Sequence, residues 1–486
     1  MYDLSKKYNR EEFLEFLKFF LPNDLFLKEE EYNDESKVDL FRKIYKLGEV
    51  KSLENLAILE VEHTSINDPR ITLAKKTFSL FNKLSINKGL VIFYCTDSEN
   101  YRISLVESSY KWKRDKVVSR EFSQPRRLSF LLGPKAKIHT PTKQFVKLGK
   151  IKNFADLRDR FNIEIVNKEF FNNYKNLYLY LKKYLDEDKV FSSFAKKIKL
   201  KTSFFAQKLL GQIVFCYFLQ KKGWLGVAEN KSFGTGDHLF FRNQFNKYNE
   251  TKKNFFNDFL EHFFYDGLNN ENQNNYLKKI DCKVPYIGGG LFEYYDGYDW
   301  KKETLEIPNK TFSNKEKTGI LDVFDLYNFT VDENLPIDIE IAIDPEMLGK
   351  VFENLLPENI KRKQGTFYTP REVVNYICES NLIDYLFSKL EGQINYDDIK
   401  NFVSDENFLL SNKKKFQSNA LLLDKLLLNI KICDPAIGSG AFAVSVMNII
   451  VKLRLKLKDY VAKKYKNSSY YYKKDCIQNC IYGVDK

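Results

Sequence analysis

The apolar positions of the first 150 residues change from helical to strand-like spacing. Apolar residues repeat at helical spacing in Glu11–Leu21, which predicts that residues 1 to about 35 are helical. From residue 37 the pattern becomes strand-like, and strands are predicted at Leu56–His63, Gly89–Cys95, Tyr101–Glu107 and Arg127–Gly133. Leu56–His63 alternates like a strand with one buried face, and an amphipathic helix is predicted at Thr72–Leu84. This succession predicts a compact α/β domain over residues 1–150.

The middle of the chain, residues 151–335, is predicted to be a helical connector domain rich in aromatic residues. Phe170–Tyr184 and Phe204–Leu219 carry apolar faces at helical spacing. The segment Asp281–Phe292 contains a proline and three consecutive glycines, which predicts a loop. Polar surface loops are predicted at Asn269–Asn275 and, further along, at Lys413–Asn419.

The last part, residues 336–486, starts with helices and ends in an α/β pattern. Asp344-Pro345 predicts a helix start, with the Asp as N-cap and the Pro as first helical residue. A short strand at Asn429–Asp434, a long helix at Gly440–Leu457 and a second strand at Cys480–Asp485 are predicted to follow. The predicted fold class is α/β multidomain: an α/β amino-terminal domain, a helical connector, and the start of a Rossmann-like domain with an incomplete sheet.

Composition narrows the class of protein. Hydrophobic residues make up 43% and charged residues 29% of the 486 residues, which argues against global disorder. No apolar run is long enough to cross a bilayer, and Met1–Lys7 does not resemble a secretory signal, so a cytoplasmic protein without membrane contact is predicted. The seven cysteines include no Cys-X-X-Cys pair, and four histidines are too few for a His-based metal centre. The cysteines are predicted to be buried thiols in a reducing compartment.

The net charge of +13 suits a polyanion partner, because lysine and arginine near phosphates release condensed counterions. An AT-rich genome, which favours Lys, Asn, Ile, Tyr and Phe codons, would give a similar composition. The net charge alone does not show whether a polyanion partner or the composition of the genome explains the surplus of lysine and arginine.

One turn carries recognisable chemistry, in the string Asp434-Pro-Ala-Ile-Gly-Ser-Gly-Ala-Phe442. A strand ends at Asp434, a glycine-rich turn follows, and a helix begins. Gly438 and Gly440 allow a ligand to approach the backbone closely, and the helix start offers N–H groups to it. Ligands of open α/β sheets bind at the carboxyl ends of strands.

The whole string resembles the motif with which amino-group DNA methyltransferases hold S-adenosylmethionine, although Ile437 stands where the family usually has Cys. Upstream, Gly365-Thr-Phe-Tyr-Thr-Pro370 is similar to the motif that precedes this turn in adenine methyltransferases of the gamma arrangement. The resemblance implies that Tyr368, Thr369 and Pro370 line the methionine end of the cofactor and that Asp485 accepts from the ribose hydroxyls. It also assigns to the cofactor site Asp434, Pro435, Ala436, Gly438, Gly440 and Phe442.

Transfer to adenine in this family needs an Asn-Pro-Pro-aromatic string, which binds the amino group and stacks on the flipped base. The 486 residues contain no Asn-Pro-Pro. The expectation is that this chain alone does not transfer methyl groups. It would be a truncated reading frame, a fragment, or one half of a split enzyme whose second polypeptide supplies the missing methyltransferase half.

The middle segments, among them Pro285–Glu293 and Asp344–Glu353, resemble in their order those of large combined restriction-modification enzymes of type IIG, over most of residues 40–486. Such enzymes often begin with a PD-(D/E)xK nuclease that binds Mg²⁺ through strand carboxylates. Here the candidate catalytic and metal-binding residues are Glu60 and Glu62, with Asp39 as an earlier carboxylate. Glu62 occupies the position where this type of nuclease is expected to have a lysine. Lys75 or Lys76 would have to supply the missing lysine side chain. The alternatives are a solvated strand face and a nuclease-like fold without activity.

Three hypotheses follow. In the first, the chain belongs to a restriction-modification protein that methylates adenine in double-stranded DNA and has a fused endonuclease. In the second, it is a non-catalytic DNA-binding or assembly subunit of a split restriction-modification or phage-defence system. In the third, residues 1–150 cut DNA with Mg²⁺ on their own.

Overall fold

The chain divides between Val351 and Phe352 into two compact units. The computed structural model describes residues 2–32, 40–65, 70–108, 110–111, 121–122, 126–288, 290–330, 338–343, 369–405, 408, 414–438, 440–461 and 469–484. The predicted helix start at Asp344 lies outside these residues.

A seven-stranded mixed sheet forms the first part of the first unit. Its strands, in spatial order, are β1 (Leu25–Glu31), β2 (Phe41–Val50), β3 (Leu56–His63), β4 (Lys88–Tyr94), β5 (Tyr101–Glu107), β8 (Arg126–Leu132) and β11 (Asp338–Glu340). β3 with β4 and β8 with β11 are parallel, and the other neighbours are antiparallel. A small hairpin, β6 (Tyr110–Lys111) with β7 (Glu121–Phe122), lies between β5 and β8 in the chain. The four strands predicted from the apolar pattern are confirmed.

Helix α1 (Arg10–Phe20) is shorter than the helical region predicted for residues 1–35, because β1 follows it. Leu21 precedes Pro22, and a residue before proline is driven out of the helical region. Leu21 is accordingly extended, with φ −92° and ψ 161°, and the chain turns back toward the sheet.

All eight side chains of β3 are buried, so the prediction of a single buried face is wrong. On one face, Leu59 and Val61 pack against Leu73 and Phe78 of helix α2 (Arg70–Lys83). On the other face, residues that precede and begin α1 cover Glu60. β3 is therefore a central strand covered on both sides.

The rest of the first unit is helical and aromatic, as predicted. Its α-helices are α3 (His139–Pro141), α4 (Phe154–Arg160), α5 (Ile163–Glu187), α6 (Lys189–Lys197), α7 (Thr202–Lys221), α8 (Phe240–Glu250), α9 (Asn309–Phe312) and α10 (Ile320–Phe324). Wider π-helical turns span Thr142–Lys147, Phe255–Leu260 and His262–Leu268, 3₁₀ turns span Lys51–Leu53 and Gln273–Asn275, and a small pair joins β9 (Tyr276–Leu277) to β10 (Cys282–Lys283). α5 and α7 contain the two predicted helices.

The second unit contains six described helices and two strands: α11 (Arg371–Leu390), α12 (Tyr396–Ser404), α13 (Lys414–Ser418), α14 (Ala420–Asn429), β12 (Ile432–Asp434), α15 (Ala441–Leu457), α16 (Ser469–Asn479) and β13 (Ile481–Gly483). Lys414–Ser418 is helical where a polar loop is predicted, because Phe416 is buried in the core of this unit. β12 and β13 pair in parallel, as a strand–helix–strand unit requires.

The two predicted strands around the glycine turn are thus present. Residues 338–340, which are predicted to belong to the last part of the chain, instead pair with the sheet of the first unit. The predicted domain boundary at residues 335 and 336 stays a prediction, while the contacts divide the chain at Val351.

Helices long and apolar enough to span a bilayer are absent from the described ranges. All seven cysteines are free thiols; six are buried and Cys433 is exposed. The expectation of buried thiols therefore holds except at Cys433, which lies on β12.

Candidate functional site

The glycine turn between β12 and α15 has the backbone shape that the sequence predicts. Gly438 has φ +48° and Gly440 has φ +79°, both in the left-handed region that favours glycine. A Cβ added at Gly440 would meet no atom within 4 Å, so open space lies in front of this residue. The 17-residue helix α15 begins immediately afterwards. Its first N–H groups have no partners within the helix and can donate to a ligand.

Asp434 ends β12 at the mouth of this turn. Its Oδ1 accepts from the backbone N–H of Ala436 at 3.1 Å, which holds the first bend of the turn. Its Oδ2 is buried and has no hydrogen-bond partner among the described residues. A buried acceptor without a donor costs about 1–3 kcal/mol, so this oxygen calls for a polar ligand.

Strand β13 fixes the turn from the side. The backbone N–H of Val484 donates to the Asp434 carbonyl at 2.9 Å, and that of Ile437 donates to the Val484 carbonyl at 3.0 Å. Ile437 also covers Gly483, where an added Cβ would lie 3.1 Å from the Ile437 Cβ. Gly483 therefore lets β13 approach the turn. No functional role is predicted for Gly483 from the sequence, although it lies in the predicted strand Cys480–Asp485.

The helices that follow the two motifs contact each other. Ser445 of α15 donates to Oδ1 of Asn375 on α11 at 2.7 Å, and the Cys378 thiol donates to the Phe442 carbonyl at 3.8 Å. Burial raises the pKa of the Cys378 thiol, so it stays protonated and can donate. Asn375, Cys378 and Ser445 were missed because they carry no motif.

The remaining predicted cofactor residues are only partly described. Thr369 is half-buried and Pro370 is exposed; α11 starts at Arg371, and Pro370 is its N-cap residue. Pro435 and Ala436 are exposed in the turn, and Phe442 packs against the core of the second unit. Tyr368 and Asp485 lie outside the described residues.

These features fit S-adenosylmethionine, which carries ammonium and hydroxyl donors as well as a carboxylate. Asp434 offers a buried acceptor, and the start of α15 offers N–H donors in front of the open space at Gly440. The fit rests on residues of the turn, not on Thr369 or Pro370, for which no hydrogen bond to the turn is found.

The acidic pair of β3 is engaged by cations of the chain itself. Arg10 donates through Nε to Oε2 of Glu60 at 2.7 Å and through Nη2 to Oε1 at 2.8 Å, and the Tyr8 hydroxyl donates to Oε2 at 2.8 Å. Glu60 is only 1% exposed. The hydrogen bonds to Glu60 raise the pKa of Arg10, and the guanidinium also lies 4.2 Å from the Tyr45 ring centre. This bidentate pair closes the carboxylate to other ligands.

Glu62 is likewise buried and accepts from Arg42 at 3.1 Å, so the alternative of a solvated acidic face is wrong. Lys75 and Lys76 are not among the hydrogen-bond partners of Glu60 or Glu62, and Asp39 lies outside the described residues. Across the described ranges, no three His, Cys, Asp or Glu side chains come together as metal ligands would. In this arrangement Glu60 and Glu62 do not fit a Mg²⁺ site.

We expect Glu60→Gln and Arg10→Met to lower the free energy of unfolding by similar amounts, about 1–3 kcal/mol, because each removes one partner of a buried, charge-assisted pair. The double variant should be little worse than either single one, as a double-mutant cycle by urea unfolding can measure. Lys6→Met is the control, because Lys6 and its partner Glu12 are 58% and 47% exposed and their pair should contribute less than about 1 kcal/mol. Loss of Mn²⁺ binding in Glu60→Gln at unchanged stability would restore the metal-site prediction.

Comparison with known proteins gives two sequence relatives. The chain is 25% identical over 306 residues to a provisionally assigned type II restriction enzyme and methyltransferase of Methanocaldococcus jannaschii; the match covers 58% of this chain and 23% of that protein. It is also 25% identical over 179 residues to a tRNA dimethylallyltransferase of Campylobacter jejuni subsp. doylei, covering 34% of this chain and 56% of the relative. The chain thus spans less than two thirds of the length of either relative. No family model matches the sequence.

Among solved structures, the chain is similar to the type IIL restriction-modification enzyme MmeI, determined in complex with DNA. The TM-score is 0.37 at 16% identity, over 67% of this chain and 34% of MmeI.

Proposed function

We propose that this chain is part of a restriction-modification protein and that its second unit binds S-adenosylmethionine at the turn between β12 and α15. The observation that carries the proposal is the buried Oδ2 of Asp434, which has no partner among the described residues, beside the open, positive-φ backbone of Gly440. The similarity to a restriction enzyme and methyltransferase supports the same class of protein.

Each residue of the turn has a distinct part in this proposal. Asp434 accepts hydrogen bonds from the cofactor through Oδ2, and the first N–H groups of α15 donate to its polar groups. Gly440 leaves room for close approach, and Gly483 lets β13 support the turn. The bound cofactor supplies an electrophilic methyl group on its sulfonium. Tyr368, Thr369, Pro370 and Asp485 keep the roles that the resemblance implies.

The proposed acceptor is the amino group of adenine in double-stranded DNA, a choice that rests on the gamma-type order of the two motifs. The charge of +13 supports a nucleic-acid partner. These 486 residues contain no Asn-Pro-Pro string, so a group that holds the adenine is assigned to a segment or second polypeptide outside them.

Cleavage by the first unit stays a prediction that the ion pair of Glu60 with Arg10 does not support. A purely non-catalytic subunit is not favoured, since the restriction-modification relative is an enzyme.

Calorimetry with the full chain tests the proposal. We expect saturable binding of one S-adenosylmethionine per chain, and displacement by S-adenosylhomocysteine, which keeps the nucleoside and amino acid parts. Asp434→Ala should weaken binding about tenfold or more, since a hydrogen bond to a charged group contributes about 1.5–3 kcal/mol. Asp424→Ala, which removes an aspartate of the same unit that pairs with Arg454, is the control and should leave the affinity unchanged. Binding of ATP or NAD in place of S-adenosylmethionine would refute the assignment.

A further inference from the structure

The helical part of the first unit contains a cavity of about 820 Å³ that no part of the proposed cofactor site uses. Its lining combines four aromatic rings with two asparagines, two aspartates and a lysine. The aromatic members are Tyr265, Tyr294, Tyr298 and Trp300. All of them lie between residues 265 and 300 of the chain.

The rings form walls at steep angles to one another. Tyr265 and Trp300 lie 5.3 Å apart with an interplanar angle of 53°, and Tyr294 stands at 86° to Tyr265 with a centroid distance of 6.2 Å. Tyr265 and Tyr298 are buried, Trp300 is half-buried, and Tyr294 is 55% exposed. The buried rings make a rigid support, and Tyr294 and Trp300 present ring surface to a planar ligand.

The charges of the cavity are compensated within the chain. Asp266 accepts from Nδ1 of His262 at 2.9 Å and lies 3.7 Å from the Lys301 ammonium, while Asp299 pairs with Lys302 at 2.8 Å. Lys301 itself lies 5.3 Å from the Trp300 ring centre, in the place where a foreign cation would bind. A ligand cation would therefore have to displace a charge of the protein, which argues against a cation site.

The carboxyl that bonds to Tyr298 of the lining is also neutral. The Tyr298 hydroxyl donates to the buried carboxyl of Glu261 at 2.5 Å, and Asn257 donates to the other oxygen at 3.0 Å. Burial raises the pKa of Glu261 to about 8, so the carboxyl is protonated at neutral pH.

What remains for recognition are amide groups and ring faces. The side chains of Asn269 and Asn270 line the cavity, and neither makes a hydrogen bond to another described residue. An amide offers both donors and an acceptor, which match the hydrogen-bonding edge of a nucleobase. Ring faces stack on bases of any sequence.

We propose that this cavity binds an unpaired nucleobase of a nucleic-acid strand, stacked on Tyr294 and Trp300 and contacted at its edge by Asn269 and Asn270. This proposal rests on the proposed function only for the class of partner, which is a nucleic acid. It gives the first unit a single-strand or extrahelical-base contact that is independent of S-adenosylmethionine.

Fluorescence anisotropy with a labelled single-stranded DNA about 12 nucleotides long tests the proposal, since single-strand sites cover about 4–16 nucleotides. We expect Tyr294→Ala to weaken binding about 5- to 150-fold, the loss that removal of one stacked base contact causes. Tyr294→Phe should retain most of the affinity, because it keeps the ring. Tyr286→Ala is the matched control: Tyr286 is 51% exposed in the same unit and does not line the cavity.

A second readout reports on the cavity directly. A base stacked on Trp300 should quench its fluorescence, and the quenching should disappear in Trp300→Phe but persist in Trp224→Phe. Equal affinities of Tyr294→Ala and Tyr286→Ala, or quenching by tetramethylammonium or glucose but not by the oligonucleotide, would overturn the proposal.

The same variants separate this proposal from the proposed function. Tyr294→Ala should bind S-adenosylmethionine like the unaltered chain. If S-adenosylmethionine binds but Tyr294→Ala has no effect on DNA, only the base site fails. If the Tyr294 effect is present and S-adenosylmethionine does not bind, only the cofactor assignment fails.

Discussion

Gly440→Ala is expected to lower the affinity for S-adenosylmethionine about tenfold or more, with the chain still folded. The added methyl group points into the open space in front of the turn, where no atom of the described residues beyond its chain neighbours lies within 4 Å. The protein therefore tolerates it, and the proposed cofactor does not, because overpacking a close contact costs about 1–3 kcal/mol. Calorimetric titration of the variant measures the loss.

The variant also has a backbone cost that must be separated from the steric effect. Gly440 has φ +79°, and alanine in this region costs about 1–2 kcal/mol. Gly392 provides a matched control, since it has φ +80°, belongs to the same unit and has equally open space around its Cβ. Gly392→Ala should reproduce the stability loss and leave cofactor affinity unchanged. Equal affinities of the two variants would contradict the placement of the ligand at Gly440.

Glu340→Gln is expected to destabilise the first unit by about 3–5 kcal/mol, the largest stability effect we predict, because removal of one partner of a buried ion pair leaves charge uncompensated. Glu340 accepts from Arg102 at 3.0 Å and from Arg70 at 3.1 Å, and all three side chains are at most 6% exposed. Arg70 begins α2, Arg102 lies on β5 and Glu340 on β11. The two ion pairs of Glu340 therefore hold the edge strand β11 and helix α2 against the sheet.

This contribution should depend on pH in a defined direction. Burial alone would raise the pKa of Glu340, but Arg102 and Arg70 outweigh burial and lower it from 4.5 to about 2. A carboxyl with a lowered pKa stabilises the fold fully above pH 4.5, and the contribution is lost as the pH falls toward 2. The difference in unfolding free energy between the unaltered chain and Glu340→Gln should therefore shrink by about 1.4 kcal/mol per pH unit over that interval.

Urea unfolding between pH 7 and pH 2.5 measures this difference. Glu303→Gln is the control, since Glu303 pairs with a 62% exposed Lys197 and should change stability by less than about 1 kcal/mol. A Glu340→Gln effect as small as that of Glu303→Gln, or one that grows on acidification, would refute the proposed role.

The candidate cofactor site shows what a local pattern can predict. The strand, the glycine turn and the helix of residues 432–457 are close in sequence, and the φ values at Gly438 and Gly440 follow from their spacing. The open acceptor of Asp434 required the structure, because no local pattern specifies what surrounds a carboxylate. The support by Gly483 required it because Gly483 lies on β13, far along the chain.

The acidic pair of β3 shows what local reasoning leaves open. Spacing placed Glu60 and Glu62 on a strand correctly, but the strand pattern does not specify what faces them. Arg10, 50 residues earlier, folds back over the sheet and takes both oxygens of Glu60. Glu60, which the sequence predicts to be a metal ligand, is therefore the ion-pair partner of Arg10 in the structure.

The sequence by itself determined the central strands of the sheet, the long helices and the backbone shape of the glycine turn, because strand alternation, helical spacing and paired glycines act within a few residues. Only the tertiary structure decided the partners of the buried charges. Glu340 meets Arg102 and Arg70 across 238 and 270 residues, and no local spacing encodes such a contact. A buried charge is stable only beside its counter-charge, so packing, and not pattern, fixes what these side chains do.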